Sequence, residues 1–253
     1  IPNYLRLGHC PHKEHKMSLR TFNAVAITIY FAFFFSSTTH ATPITATDLS
    51  TISLGAKIAG PVGPEVETTI SFTDPGGDII GIADLISSVS CDARFAADCS
   101  AAAVIGFNDV VYTYQHQVIP GTDLPNDPPF PAPDSVIQLN DVTEFRLQFP
   151  AHGFLGVAGF DFGQTNAAIN GAGINIELLD DGSLAWTLSK GSNWDTGERI
   201  TFFWQTTQRP SGPGGVYAVS NQTLSGVGNG PIPNSVPIST PTTGLLLLAG
   251  LFA

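Results

Sequence analysis

Val142–Phe149, VTEFRLQF, is the stretch from which the fold can be predicted most directly. From Phe145 onward its apolar residues alternate with charged or amide side chains. Successive side chains of a β-strand point to opposite faces of the sheet. The alternation therefore predicts a strand with one face in a core and the other in solvent.

Similar patterns occur on both sides of this stretch. Further strands are predicted at 66–73, 109–119, 155–162, 174–179, 183–188, 199–206 and 216–219. Asp180, Asp181 and Gly182 separate two of these strands and predict a β-hairpin. One short alanine-rich helix is predicted at 94–105, and the five prolines of 122–134 predict an irregular loop.

Many short strands with little helix are typical of all-β domains. We therefore predict an antiparallel two-sheet β-sandwich, similar to a jelly roll, over residues 42–223. A β-barrel is the alternative. Hydrophobic helices at both termini are expected to lie outside this domain.

The N-terminal region has the features of a secretory signal peptide. Residues 17–41 begin at Met17, carry Arg20, continue into an apolar run over 24–35 and end in Thr39-His40-Ala41. Cleavage is expected after Ala41. A membrane-spanning helix is the alternative, but the run is shorter than the ~20 residues that cross a bilayer. Residues 1–16 are expected to be upstream sequence that does not belong to the natural protein.

Charge and cysteine content agree with export. Residues 42–235 contain six Lys and Arg against twenty Asp and Glu, a net charge of −14. Nucleic acid is an unsuitable partner, because binding its phosphates needs clustered basic side chains. Cys91 and Cys99 predict a disulfide, which forms and persists outside the reducing cytosol.

The same region lacks a recognisable catalytic motif. Gly-x-Ser-x-Gly is absent, and its two histidines are His116, in a predicted strand, and His152, in a predicted turn. A hydrolase of the Ser-His-Asp type would have to use one of them. We expect a protein that is not an enzyme and needs no cofactor.

Ligand-binding candidates are few. Two acidic turns, Asp74/Asp78 and Asp180/Asp181, offer oxygen ligands for calcium, although Asp is also an ordinary turn residue. No metal site is assigned. Among the tryptophans, Trp186 and Trp204 fall in predicted strands and are expected in the core. Trp194 lies in a predicted exposed loop and is the candidate for stacking on a sugar.

The C-terminal region changes character twice. Residues 224–235, LSGVGNGPIPNS, are rich in Gly, Pro and Asn and predict a flexible linker. Residues 236–253, VPISTPTTGLLLLAGLFA, lead from a Val-Pro pair through Pro241 into a leucine run. A recognised motif followed by a hydrophobic segment is the logic of sorting tails.

The tail, with Val236, Pro237 and Pro241 and the run 244–251, resembles the PEP-CTERM class of Gram-negative surface proteins, including its VPLPA-type variant. In place of the family's Glu-Pro or Leu-Pro, this chain has Ile238-Ser239-Thr240-Pro241, and the family's terminal arginine cluster is missing. The resemblance implies a tail that is cut short here, with its arginines beyond Ala253.

The resemblance also implies partners and a location. The tail would associate transiently with the inner membrane and be processed by an exosortase-type enzyme, after signal peptidase has acted at the other end. The protein would reach the cell surface, outer envelope or extracellular matrix. We expect a structural or adhesive role there, associated with biofilm or exopolysaccharide. A secreted carbohydrate-binding module is the alternative, followed by a secreted hydrolase.

Overall fold

The structure is a computed structural model that describes residues 41–57, 65–92, 110–124, 135–170, 173–189 and 194–234. All of them belong to one unit, His40–Ala253. The predicted helix at 94–105, the signal-peptide segment 17–40 and the sorting tail 236–253 lie outside the described residues.

The described residues form an all-β domain. Its strands are β1 Thr42–Ile44, β2 Thr47–Asp48, β3 Ala56–Lys57, β4 Glu65–Thr73, β5 Ile79–Cys91, β6 Tyr112–Pro120, β7 Thr122–Asp123, β8 Ser135–Val136, β9 Val142–Leu147, β10 Phe154–Phe160, β11 Ile174–Leu178, β12 Leu184–Leu188, β13 Ile200–Thr206, β14 Gly215–Asn221 and β15 Ser225–Gly230. A short 3₁₀ turn, Leu49–Thr51, follows β2, and the helix α1, Phe162–Ile169, follows β10.

Hydrogen bonds join most of these strands into one continuous sheet. The path runs β1-β11-β12-β9-β14-β15-β4-β5-β6-β13-β10-β2, while β3 branches off at β5 and β7 pairs with β8 separately. Neighbours are antiparallel except β10 and β2, which are parallel. The all-β prediction is confirmed. A sandwich of two antiparallel sheets is not confirmed, because all the described strands except β7 and β8 belong to one mixed sheet.

The sheet curls so that strands from distant parts of the path contact each other through their side chains. Phe145 of β9 stacks on Phe202 of β13 with ring centroids 4.7 Å apart. His116 of β6 lies 4.2 Å from the ring of Tyr217 of β14. Phe145, which the sequence places on an inward face, is fully buried among these rings. The core therefore includes a cluster of aromatic rings that joins distant strands of one sheet.

Stretches in which apolar and polar residues alternate form strands, as predicted. β9 buries Phe145 and Leu147, and Phe149 packs partly buried against the same core. β11 and β12 form the predicted hairpin, with Gly182 at φ 79 in its turn. Trp186 and Trp204 are fully buried, as predicted.

The prediction of a flexible linker at 224–235 is wrong for most of that range. Ser225–Gly230 is β15, which pairs with β14 along its whole length and with β4 at Val227↔Ser71. Beyond it, the Tyr217 hydroxyl donates to the Pro231 carbonyl, and the Asn234 N–H donates to the Arg209 carbonyl at 2.8 Å. The β domain thus extends at least to Asn234 instead of ending at 223.

The glycines of β15 explain both the strand and the error. Gly226, Gly228 and Gly230 all face the core, whereas Val227 points outward and is 56% exposed. A Cβ on Gly226 would lie 2.6 Å from Ile70 Cγ2, and one on Gly228 would lie 2.8 Å from Ile70 Cγ1. The strand needs glycine at alternate positions because neighbouring side chains fill the space. A high glycine content by itself indicates a flexible segment, whereas glycine at every second position indicates a strand.

Helix α1 and β5 were not predicted. Asp161 caps α1 by accepting from the Gln164 N–H at 2.9 Å, and Asn170 ends it in the left-handed conformation at φ 50. Both residues are ordinary helix-boundary signals. At the start of the predicted proline-rich loop, Thr122–Asp123 forms β7, which pairs with β8 at Ser135–Val136, while 125–134 lies outside the described residues.

Candidate functional site

Only part of the predicted sorting machinery lies within the described residues. Ala41, the last residue of the predicted signal peptide, directly precedes β1. Thr39, Val236, Pro237 and Pro241 lie outside the described residues. The two predicted signals flank a β domain. Its first strand begins at residue 42, and its backbone is still hydrogen-bonded at residue 234.

Cys91 ends β5 and is disulfide-bonded. Its side chain is fully buried, and its Cα partners in the sheet are Ala56 and Tyr112. Cys99, the partner that the sequence predicts, lies outside the described residues. The disulfide places a covalent link at the end of the longest strand.

Trp194 is not an exposed stacking platform, so that expectation was wrong. Its side chain is 0% exposed, and its ring lies 5.6 Å from Phe202 in an edge contact. The indole N–H donates to the Glu198 carbonyl at 2.9 Å. The loop folds its tryptophan inward because the ring is apolar and its one N–H finds a backbone acceptor. No sugar can stack on this ring in the folded protein.

The two histidines occupy opposite environments. His116 is fully buried, its Nδ1 lies 2.9 Å from Ser87 Oγ, and Ser87 is also 0% exposed. Its Nε2 has no hydrogen-bond partner among the described residues. Burial lowers the pKa of His116 to about 3, since a charged imidazole is disfavoured away from water. The Ser87–His116 pair is thus a neutral core contact that substrate cannot reach.

His152 lies in an exposed turn before β10. Its backbone carbonyl accepts a hydrogen bond from the Thr206 hydroxyl. The predicted turn position is correct, but the structure brings no buried carboxylate or nucleophile to its ring among the described residues. This position offers no triad geometry.

In each acidic turn one carboxylate is used locally. Asp74 Oδ1 accepts from the N–H groups of Gly76 and Asp78 at 2.8 and 3.0 Å. Asp181 accepts from the Ser183 N–H and forms an ion pair with Arg146 at 2.6 Å. Hydrogen bonds from Ser183 lower the pKa of Asp181. Both turns show the ordinary structural use of Asp.

A shallow cleft lies between α1 and the turn before β13. Its volume is about 490 Å³, and it is lined by Gly163, Gln164, Ala167, Ala168, Gly197, Glu198 and Arg199. The size falls within the usual range for small-molecule sites. The cleft was not predicted from the sequence, because its two walls come from separate segments, 163–168 and 197–199, and one wall is the unpredicted helix.

Some polar side chains of this cleft already form hydrogen bonds within the protein. Gln164 Oε1 accepts from the Thr201 hydroxyl at 2.9 Å, which fixes the orientation of the amide. Glu198 accepts from the Asp195 N–H at 2.7 Å. Arg199 is exposed and forms no ion pair within the described part of the chain. The cleft therefore presents an oriented amide and a guanidinium to solvent.

The described ranges contain neither a metal-binding cluster nor a membrane-spanning helix. No group of three or more His, Cys, Asp or Glu side chains is placed to hold a metal ion there. Among the helices of those ranges, none has the length and apolar content needed to cross a bilayer.

Comparisons with known proteins add no relative. No family model matches the chain, and neither the curated proteins nor the solved structures contain a match to it.

Proposed function

We propose that this chain is an exported bacterial surface protein whose β domain has a structural or adhesive role and no catalytic one. It would be sorted to the envelope or matrix through the tail at 236–253, with signal peptidase and an exosortase-type enzyme as its processing partners. Exopolysaccharide is the proposed contact of the mature protein.

The disulfide at Cys91 is the observation that carries the proposal. Disulfides persist in oxidising compartments and are rare in the cytosol. A disulfide at the end of β5 is therefore what an exported domain would have, and it agrees with a signal peptide at 17–41. The burial of His116 and the lone position of His152 favour a role without catalysis.

A two-layer sandwich is the proposed description of the curled sheet. The half β1-β11-β12-β9-β14-β15 would form one layer and the half β4-β5-β6-β13-β10-β2 the other. The stacking of Phe145 on Phe202 supports this arrangement, because it joins a strand of each half.

Deletion of residues 236–253 tests the sorting proposal. We expect the shortened protein to be released into the medium, while the full chain stays with the cell envelope, as measured by immunoblotting of both fractions. The deletion removes nothing between 41 and 234, so the folded domain serves as its own control by circular dichroism. Unchanged surface attachment of the shortened protein would contradict the sorting role.

Carbohydrate binding is a second candidate, now at the cleft beside α1 and not at Trp194. The observation that favours it is the pairing of an oriented Gln164 amide with the exposed guanidinium of Arg199. Amide and guanidinium groups donate to sugar hydroxyls and carboxylates.

Glycan-array binding by purified domain tests this second candidate. We expect Arg199→Gln and Gln164→Ala each to lower binding at least several-fold, while Arg209→Gln, a matched loss of one charge elsewhere, leaves it unchanged. Binding that persists in both cleft variants would remove the cleft from consideration, and an array without any signal would remove the function.

A further inference from the structure

One short segment holds both ends of the curled sheet. β1 and β2 are the terminal strands of the path, yet Thr45 and Ala46 alone separate them in the chain. We name residues 42–48 the strap. It pairs antiparallel with β11 at one end of the path and parallel with β10 at the other.

The strap is weakly held compared with the strands it closes. None of its residues is buried, and Ile44 and Ala46 pack only partly against the core. It makes three residue pairs with β11 and two with β10, whereas β5 and β6 make nine. Segments with little buried surface open at a small fraction of the global unfolding free energy.

The two edges beneath the strap are shaped for it. A Cβ on Gly159 of β10 would collide with the Thr47 carbonyl, so glycine is needed for the parallel strand to approach. On the other edge, Ile44 lies opposite Ile176, which is buried. When the strap leaves, both edges present unpaired N–H and C=O groups, which readily capture another strand.

We propose that straps exchange between two copies of this chain, so that each copy closes the sheet of the other. The same five residue pairs form in the exchanged dimer as in the monomer, because both copies carry the same sequence. Exchange of an identical element is a low-cost route to symmetric dimers. A second copy is the partner that the geometry selects, since it supplies the strap's own side chains in register.

The chain next to the strap can act as the hinge. Asp48 accepts from the N–H and hydroxyl of Ser50 and so caps the 3₁₀ turn at Leu49–Thr51. Gly55 follows at φ 62, a conformation that glycine adopts without strain. A few residues at element ends are enough to absorb the change of direction in such exchanges.

Export would make the exchange possible. Cleavage after Ala41, as the sequence predicts, leaves Thr42 as the first residue of the protein, so the strap has a free end that can move between copies. The inference rests on the proposed export and cleavage, but not on the proposed structural or adhesive role.

A disulfide across the strap tests the proposal on the exported full chain. Thr42 and Leu178 are Cα partners, so Thr42→Cys/Leu178→Cys can lock the strap to its own domain when monomers are oxidised in dilute solution. Wild type and variant are then concentrated in mild urea, returned to buffer and measured by size-exclusion chromatography with light scattering. We expect a dimer fraction that rises with concentration in the wild type and is lost in the oxidised variant.

The matched control locks a different pair. Asn175 and Thr187 are exposed Cα partners in the β11–β12 hairpin, so Asn175→Cys/Thr187→Cys adds a disulfide and leaves the strap free. This variant should dimerise like the wild type. Strap exchange is overturned by a wild type that stays monomeric at every concentration, and equally by an oxidised strap variant that dimerises as before.

Discussion

The Trp186 indole N–H donates to the Gly159 carbonyl at 3.0 Å and so joins β12 to β10, two strands that are far apart along the sheet path. Both residues are buried, and Gly159 also provides the close approach that β2 requires. Gly159 thus accepts a hydrogen bond from a core side chain and also lets the strap pack closely against β10. The closing of the sheet therefore depends on backbone positions as much as on the aromatic core.

The inward glycines of β15 should resist substitution. Gly226→Ala places a Cβ 2.6 Å from Ile70 Cγ2 and 2.8 Å from the Ser71 carbonyl, so we expect a loss of about 1–3 kcal/mol in the free energy of unfolding. Urea denaturation measures it. Val227→Ala, one position away on the exposed face, should change the free energy by less than about 0.5 kcal/mol. Equal effects of the two substitutions would show that β15 is not packed as described.

His116 should make the domain less stable in acid. Its pKa is about 3 in the folded protein and about 6.5 when unfolded, so the unfolded chain binds the proton first as the pH falls. The contribution of neutral His116 is complete above pH ~6.5 and is lost toward pH ~3, with a slope of up to about 1.4 kcal/mol per pH unit.

Urea denaturation between these pH values measures that slope. The double variant Ser87→Ala/His116→Phe replaces both partners with apolar groups and should remove the pH dependence of stability that His116 contributes, while Ser87→Ala alone keeps it. A wild-type profile that matches the double variant would mean that His116 stays accessible to protons in the folded state.

Trp194 should matter for stability and not for sugar binding. Trp194→Ala removes a buried ring and should lower the free energy of unfolding by about 3–5 kcal/mol. Trp194→Phe keeps most of the packing but loses the N–H donor to Glu198, so the loss should be nearer 0.5–1.5 kcal/mol, an order-of-magnitude figure for one hydrogen bond. Glycan binding that is lost in a folded Trp194→Ala variant and kept in Trp194→Phe would restore the stacking role.

Removal of the disulfide should destabilise the domain without changing its fold. For Cys91→Ala we expect a loss of about 2–3 kcal/mol, measured as a lower urea midpoint, because the unfolded chain is no longer constrained. Reductant should lower the wild-type midpoint and leave that of the variant unchanged. Cys99→Ala tests the predicted pairing, since it should match Cys91→Ala and add nothing to it in the double variant.

The strands were predictable where one face is buried and the other is not. β9 shows this best, because Phe145 and Leu147 alternate with half-exposed polar residues. β5 was missed because it runs through a nearly continuous apolar and small-residue stretch, IIGIADLISSVSC, that has no clear period. In such strands both faces are covered, and neighbours in the fold determine the structure more than local alternation does.

The site could be predicted less well than the fold. The residues around Trp194 have the composition of a loop, yet its ring packs inward against Phe202. Local sequence cannot reveal this contact. The cleft beside α1 and the strap both depend on contacts between distant segments. Asp161 and Asn170 are the local boundary signals from which helix α1 could have been predicted.

The hydrogen bond from the Asn234 N–H to the Arg209 carbonyl holds the chain against the β domain up to residue 234. Val236, the start of the proposed sorting motif, follows two positions later in the chain. An enzyme that recognises Val236 and Pro237 would therefore have to act within three residues of the hydrogen-bonded domain. Insertion of a short Gly-Ser spacer after Asn234 should speed up processing, because it moves the proposed motif away from the folded domain.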